Sequence, residues 1–464
     1  MLFNSFHFLY FILIIVPVFY ILPQKFRQVF LLLASYYFYM CWNYSYVVLI
    51  LFTTITSYLA SLGIEKTSRT KLKKFYLYIS IGASLVILFF FKYYNFFIDN
   101  INHVSGSQFI LFNYLLPVGV SFYTFETLSY TIDVYKGKLP VERKFWIYAL
   151  FISFFPKLVA GPIERSENLL PQFHRKQQLK ASNIIKGTKY VIIGFFMKLV
   201  IADRLSVYVD SVYNNVSKHH GITFWVATVC FSFQILCDFA GYSTIAKGVA
   251  KWLDYDLMLN FKRPYLAVSF GDFWRRWHIS LSSWFRDYVY IPLGGNRNGR
   301  ARQHINNFIT FLISGFWHGA NWTFIMWGAL HGAFLSIENI FKTERKESKP
   351  ILIIRIIKTG FLFAAVSFAW IFFRANTITD AIKIIVGMTD IDRNVFFDTS
   401  TLLYGLTGVL LLTGMDIYAE RSGDNNSLQN DSLSISIVSF FSLLLLLILY
   451  IGVFNGGQFI YFQF

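Results

Sequence analysis

Histidine takes and returns a proton near neutral pH more readily than any other unperturbed side chain. Two of the nine histidines here stand where imidazole is out of place. His318 lies in ISGFWHGANW, just after Phe311, Leu312, Ile313 and Phe316, in a run that otherwise reads as a membrane span. An ionisable group at membrane depth is costly to bury and is a functional candidate by default. The competing reading is a structural histidine hydrogen-bonded across helices. A neutral imidazole in an apolar tunnel suits general-base acyl transfer, taking the proton from an attacking hydroxyl. Gly315 and Gly319, on either side, would let another backbone or a substrate come close.

The second is His278, at the centre of SFGDFWRRWHISLSSWFRDYVYIPLGG. Here Trp274, Trp277 and Trp284 alternate with Arg275, Arg276 and Arg286. One reading is an interfacial amphipathic helix, with tryptophan among the lipid headgroups and arginine on phosphates. The other is a cytoplasmic-side entrance whose arginines attract an anionic donor and whose histidine faces a cavity. The GGNRNGR that follows lacks P-loop spacing and reads as a basic turn. His278, His318 and His331 have no metal-ligand spacing, and no cysteine completes a set, so zinc has no support. No GxSxG elbow supports a serine hydrolase. Asp238 in LCDFAGYS also interrupts an apolar run, as a helix-end cap or as a cavity-lining group.

These residues must be held by a membrane bundle. The chain of 464 residues is 55% hydrophobic and 14% charged, against about a quarter charged in soluble domains. Apolar runs long enough to cross a bilayer recur throughout, which predicts an all-α polytopic membrane protein. The net charge of +17 does not indicate nucleic-acid binding. Its basic residues fall between apolar runs (Lys66 to Lys74, Lys136 to Lys144, Arg165 to Lys189, Lys342 to Lys349), as cytoplasmic loops do. Cys41, Cys230 and Cys237 lie in or beside apolar segments and form no disulfide framework.

Hydropathy predicts roughly eleven crossings or half-crossings. No signal peptide precedes the first apolar run, Phe8 to Leu22, and the basic residues after it place the N-terminus outside. Val29 to Ile64 reads as two spans turning near Asn43. Phe145 to Ala160 ends in PKLVAGPIE, which breaks any helix and suggests a re-entrant segment. Asn306 to Ile340 reads as a hairpin or a re-entrant pair, and the polar stretch Glu420 to Asp431 as a mobile loop. Residues 1–464 are expected to form a single integral-membrane domain. Within it, residues 241–302 form a cytoplasmic-side amphipathic region and residues 455–464 an extracytoplasmic tail. A secondary transporter would need paired broken helices and midplane carboxylates. The spans offer few of the latter beyond Glu126, Asp133 and Asp238.

The chain resembles the bacterial membrane-bound O-acyltransferases of the alginate O-acetyltransferase type along nearly its whole length. The resemblance is carried by MLFNSFHF, LLLASYYFYMCWN, LLPVGVSFYTFETLSYTIDVYKG, FFPKLVAGPIER, LCDFAGYSTIAKG, FWRRWHISLSSWFRDYVYIPLGGNR and SGFWHGANWTFIMWG. It implies a helical bundle around a tunnel joining the two membrane faces. His318 would be the primary catalytic residue, and His278 would position substrate or assist proton transfer. Beside what the resemblance implies, Trp274, Arg275, Arg276, Trp277 and Trp317 are candidates to line the tunnel or donor entrance, and Asn321, within a turn of His318, is a candidate to orient it by sequence proximity alone. No bound cofactor is implied. The donor is expected to be acetyl-CoA or another cytoplasmic acyl thioester. The acyl group would pass to an extracytoplasmic esterase-like partner that modifies a polysaccharide, with the chain itself in the bacterial inner membrane. Peptidoglycan O-acetylation and teichoic acid D-alanylation are the alternatives. D-alanylation systems use a separate small protein whose C-terminal aromatic motif carries the acyl group on tyrosine. The GGQFIYFQF tail is similar, which makes Tyr461 a candidate acyl acceptor; an aromatic interfacial anchor is the other reading.

Overall fold

The computed structural model describes residues 1–341, 352–390, 396–423, 434–454 and 459. Among these the chain is helical, with no strand. Six helices are long and apolar enough to cross a bilayer: Tyr44–Lys66, Thr70–Ser105, Ile222–Trp252, Trp322–Phe341, Leu352–Arg374 and Thr399–Arg421. Two shorter apolar helices are Phe6–Ile21 and Ile435–Ile451. The eleven crossings read from hydropathy also included helices interrupted or charged at one end. Examples are Phe145–Ser153, which stops after nine residues, and Gly299–His318, which opens on Arg300 and Arg302. The chain divides into two compact units, residues 1–191 with 242–258, and residues 192–241 with 259–464.

In the first unit the predicted pair of helices around Asn43 is Gln24–Met40 and Val47–Lys66. Asn43 accepts the Ser45 amide at 2.9 Å, starting the short turn between them. The PKLVAGPIE segment interrupts its helix as Pro156, Gly161 and Pro162 predict. Phe145–Ser153 ends at Phe154, and a single turn, Phe155–Leu158, follows. The break orphans the Phe155 amide, and Ser35 Oγ accepts it at 3.1 Å. Gly161 is required here, because a Cβ would stand 2.3 Å from the Lys157 Cα.

Lys157 is fully buried and donates to Glu126 of the helix Val120–Tyr135. The other Glu126 oxygen accepts the Glu164 amide at 3.1 Å. Glu164 accepts the Asn168 side-chain amide at 2.7 Å and the Met258 amide. A charge buried in this unit is thus tied to an irregular stretch of backbone that would otherwise carry unsatisfied groups.

In the second unit, Asp238 sits in the middle of Ile222–Trp252 rather than at a helix end. Lys198 donates to Asp238 and to Asp203, both at 2.7 Å, from a π-helical segment, Phe196–Ala202. The helices Gly299–His318 and Trp322–Phe341 form the predicted hairpin. They meet backbone to backbone. A Cβ on Gly315 would fall 2.3 Å from the Phe324 carbonyl oxygen, and one on Gly328 would fall 2.3 Å from that of Phe311. Small residues at a membrane helix crossing permit this approach. The space beside Gly315 and Gly319 therefore belongs to the neighbouring helix, with the Phe324 ring against Gly319.

Removing one partner of a buried pair leaves the other charge uncompensated, at about 3–5 kcal/mol. Lys157→Met should therefore sharply lower the thermal midpoint of the detergent-solubilised protein, and adding Glu126→Leu should restore most of it. A double variant as unstable as the single one contradicts this account.

Candidate active site

His278 stands at a break between the helices Phe270–Arg276 and Ile279–Phe285, outside the two neighbouring spans Ile222–Trp252 and Trp322–Phe341. Its backbone is left-handed, with φ at 41°. A β-carbon makes that conformation unfavourable by about 1–2 kcal/mol. Asn260 holds it there. The Asn260 carbonyl accepts the Ile279 amide at 2.9 Å, and its side-chain oxygen accepts the Ser280 amide at 3.2 Å and the Ser280 hydroxyl at 2.9 Å. The same oxygen lies 3.1 Å from His278 Nδ1. Because the Ser280 amide can only donate, that Asn260 atom is the acceptor. His278 must then carry its proton on Nδ1, which leaves the lone pair on Nε2. Burial pushes the imidazole pKa down to about 3, so His278 is neutral throughout the physiological range.

The ring of His278 is packed by aromatic groups. Phe239 stands edge-on at 4.5 Å, Phe261 is stacked at 6.1 Å, and Trp317 is edge-on at 6.5 Å. His318 is the last residue of Gly299–His318 and is buried. Its ring lies 4.9 Å from that of Trp317, 5.0 Å from Trp327 and 5.4 Å from Phe373. Both histidines therefore contact the same indole, that of Trp317. Trp277 backs this group, fully buried, 5.1 Å from Phe261 and 5.0 Å from Trp370. Trp370 in turn donates its indole proton to the Tyr265 hydroxyl at 3.2 Å. An aromatic enclosure that keeps water from both imidazoles strengthens the polar interactions they make and suits proton transfer.

A family model described as MBOAT, membrane-bound O-acyltransferase family, matches residues 143–372, which contain both histidines and Asn260. The probable alginate O-acetylase of Pseudomonas putida is 38% identical over 82% of this chain and 78% of its own length. The peptidoglycan O-acetyltransferase of Helicobacter pylori is 36% identical over 79% of this chain and 74% of its own length. The chain belongs to the membrane-bound O-acyltransferase family. The teichoic acid D-alanyltransferase of Streptococcus thermophilus is similar over a shorter stretch, 30% identical across 52% of this chain and 60% of its own.

The structure distributes the other candidate residues of this O-acyltransferase unevenly. Trp274 packs on Trp327 at 5.9 Å and on His331 at 4.9 Å. Arg275 is exposed and lies 3.5 Å from Asp272. Arg276 is half-buried and engaged with Asp272 at 3.1 Å and Glu420 at 3.0 Å. Glu420 also accepts from Arg263 at 2.8 Å and Arg355 at 3.1 Å. The stretch beginning at Glu420 was expected to be a loop; Glu420 instead belongs to the helix Thr399–Arg421 and gathers three arginines. Asn321 accepts the Thr323 amide and donates to the Asn376 carbonyl, both at 3.1 Å, so its side chain caps the helix Trp322–Phe341. Tyr461 lies outside the described residues.

Asn260 escaped the sequence reading of the acyltransferase. It sits in LNFKRPYL among ordinary loop residues, and only the fold brings it to His278. Asn260→Ala should slow acyl transfer on the order of 100-fold, the scale of a positioned proton-transfer group. In a His278→Ala background it should cost little more, because the two act as one unit. Additive losses in the double variant argue against the pairing.

A depressed histidine pKa favours the neutral folded form. The contribution of His278 to stability is therefore complete above pH 6.5, its ordinary pKa, and declines as the pH falls toward 3. The loss is about 1.4 kcal/mol per pH unit. His278→Gln should accordingly flatten the fall in thermal midpoint between pH 7 and pH 5; an unchanged pH profile contradicts the assignment.

Proposed function

We propose that this O-acyltransferase moves an acetyl group from a cytoplasmic thioester, acetyl-CoA being the leading candidate, toward an extracytoplasmic polysaccharide. The observation that carries the reading is that His278 and His318 both pack against Trp317, with the tautomer of His278 set by Asn260. In the reaction, a hydroxyl oxygen attacks the thioester carbonyl carbon while His318 takes its proton. The carbon–sulfur bond then breaks, the acyl group stays on oxygen, and the leaving thiolate receives the proton. His278 offers its Nε2 lone pair to the attacking hydroxyl or to a bound polar group and orients it. Arg275, exposed on the same short helix as Trp274, serves as the attraction for an anionic donor. The setting is the bacterial cytoplasmic membrane, with an esterase-like partner outside delivering the acetyl group to the polysaccharide.

The accepting hydroxyl on this chain is assigned to Tyr461. In support, Phe459, two positions before it, is buried with its ring 5.7 Å from Phe239, whose own ring stands edge-on to His278. Peptidoglycan is the second acceptor reading, favoured by the 36% identity to the Helicobacter pylori peptidoglycan enzyme.

His318→Ala should abolish O-acetylation of exopolysaccharide or peptidoglycan in cells that contain wild-type amounts of the variant. Full acetylation of both polymers sinks the catalytic reading. Mass spectrometry of the C-terminal peptide, taken from protein incubated with acetyl-CoA, should find an acetyl adduct that Tyr461→Phe removes. Active wild-type enzyme with no such adduct rules out the tyrosine shuttle and leaves the role of His318 standing.

A further inference from the structure

One face of Trp322–Phe341 carries Trp327, His331, Phe334 and Glu338, and the short helix Phe270–Arg276 lies against it. Glu338 accepts the amides of Phe270 and Gly271, and Phe334 stacks on Phe270 at 4.9 Å. These contacts hold Trp274 on His331. Three rings then close a triangle: His331 to Trp274 at 4.9 Å, His331 to Trp327 at 4.9 Å, and Trp274 to Trp327 at 5.9 Å. His331 is fully buried, and neither of its ring nitrogens meets a hydrogen-bond partner among the described residues. The indole nitrogens of Trp274 and Trp327 are likewise buried without one.

A buried polar group left unmatched is costly, and native proteins rarely keep several together without a purpose. The chemistry of the group narrows what it receives. Two indoles offer donors only, and a neutral imidazole offers one donor and one acceptor. The set is therefore rich in donors and suits an acceptor oxygen. Phe273, Phe311 and Trp370 complete the surroundings of His331, at 6.2, 6.3 and 6.2 Å. An apolar enclosure of this kind disfavours a phosphate or carboxylate and favours an uncharged carbonyl. The place is equally informative, because Trp327 is the indole that also stands edge-on to His318 at 5.0 Å.

We propose that Trp274, Trp327 and His331 form a subsite for the carbonyl oxygen of the acyl group that His318 transfers. The reading rests on the acyl-transfer role proposed for His318. When the hydroxyl oxygen bonds to the carbonyl carbon, the carbonyl electron pair moves onto its oxygen, where fixed N–H donors stabilise it. The pair returns as the carbon–sulfur bond breaks, and His331 exchanges no proton in the cycle.

The test compares two inert analogues of the donor on the purified full-length protein. Acetonyl-CoA keeps the carbonyl, and S-propyl-CoA has the same chain without it. The wild type should bind acetonyl-CoA about tenfold or more tightly than S-propyl-CoA. Trp274→Phe, Trp327→Phe and His331→Phe keep the rings and remove donors. Each should lower that preference by about 2- to 12-fold, the range for one neutral hydrogen bond. Since the preference is a ratio within one variant, a general loss of folded protein cancels. Equal binding of both analogues by wild type, or a preference unchanged in all three variants, overturns the subsite while leaving the thioester donor in place. Binding of neither analogue by wild type overturns the coenzyme A donor and the subsite together.

Discussion

A polar group buried away from water is stabilised by the partners that the protein itself supplies. In this chain the Asn260 side-chain oxygen shows how far that constraint reaches. It takes a backbone amide, a hydroxyl and an imidazole proton at once. By doing so it holds His278 in a left-handed backbone, interrupts the helix at that point, and fixes which imidazole nitrogen keeps its lone pair. Geometry, strain and protonation state all follow from one acceptor atom.

The same constraint governs the buried charges. Lys157 is matched to Glu126 where a helix is broken, and Lys198 is matched to Asp203 and Asp238 where a helix widens into a π segment. In both places irregular backbone and a buried cation occur together. Glu420 does similar work near a more accessible part of its unit, holding Arg263, Arg276 and Arg355.

Local pattern made much of this legible. The hairpin around Ala320, the interruption at Pro156 and the unusual settings of His278 and His318 all follow from residue type and spacing. Partnership did not. Asp238 looked like a cap because its neighbours Gly241 and Ser243 resemble a helix end, yet its helix runs on to Trp252 and its partner is a lysine forty positions upstream. Asn260 and Glu420 carry no local signal, because their value comes from residues distant in sequence. Asn321 is close to His318 in sequence, but its hydrogen bonds serve the start of the next helix. His331, first considered only as a metal ligand, gains its interest from the two indoles the fold sets around it.

The contact between Gly315 and Gly328 has a consequence for divergence. With no side chain between them, the two helices meet at the limit of backbone approach, so substitutions elsewhere on that face cannot shorten the separation. His318 on one helix and Trp327 with His331 on the other are thereby set at a spacing that acts as a ruler. A lineage adapting to a new acceptor would have to vary the approach to this pair of helices, since the gauge itself does not adjust.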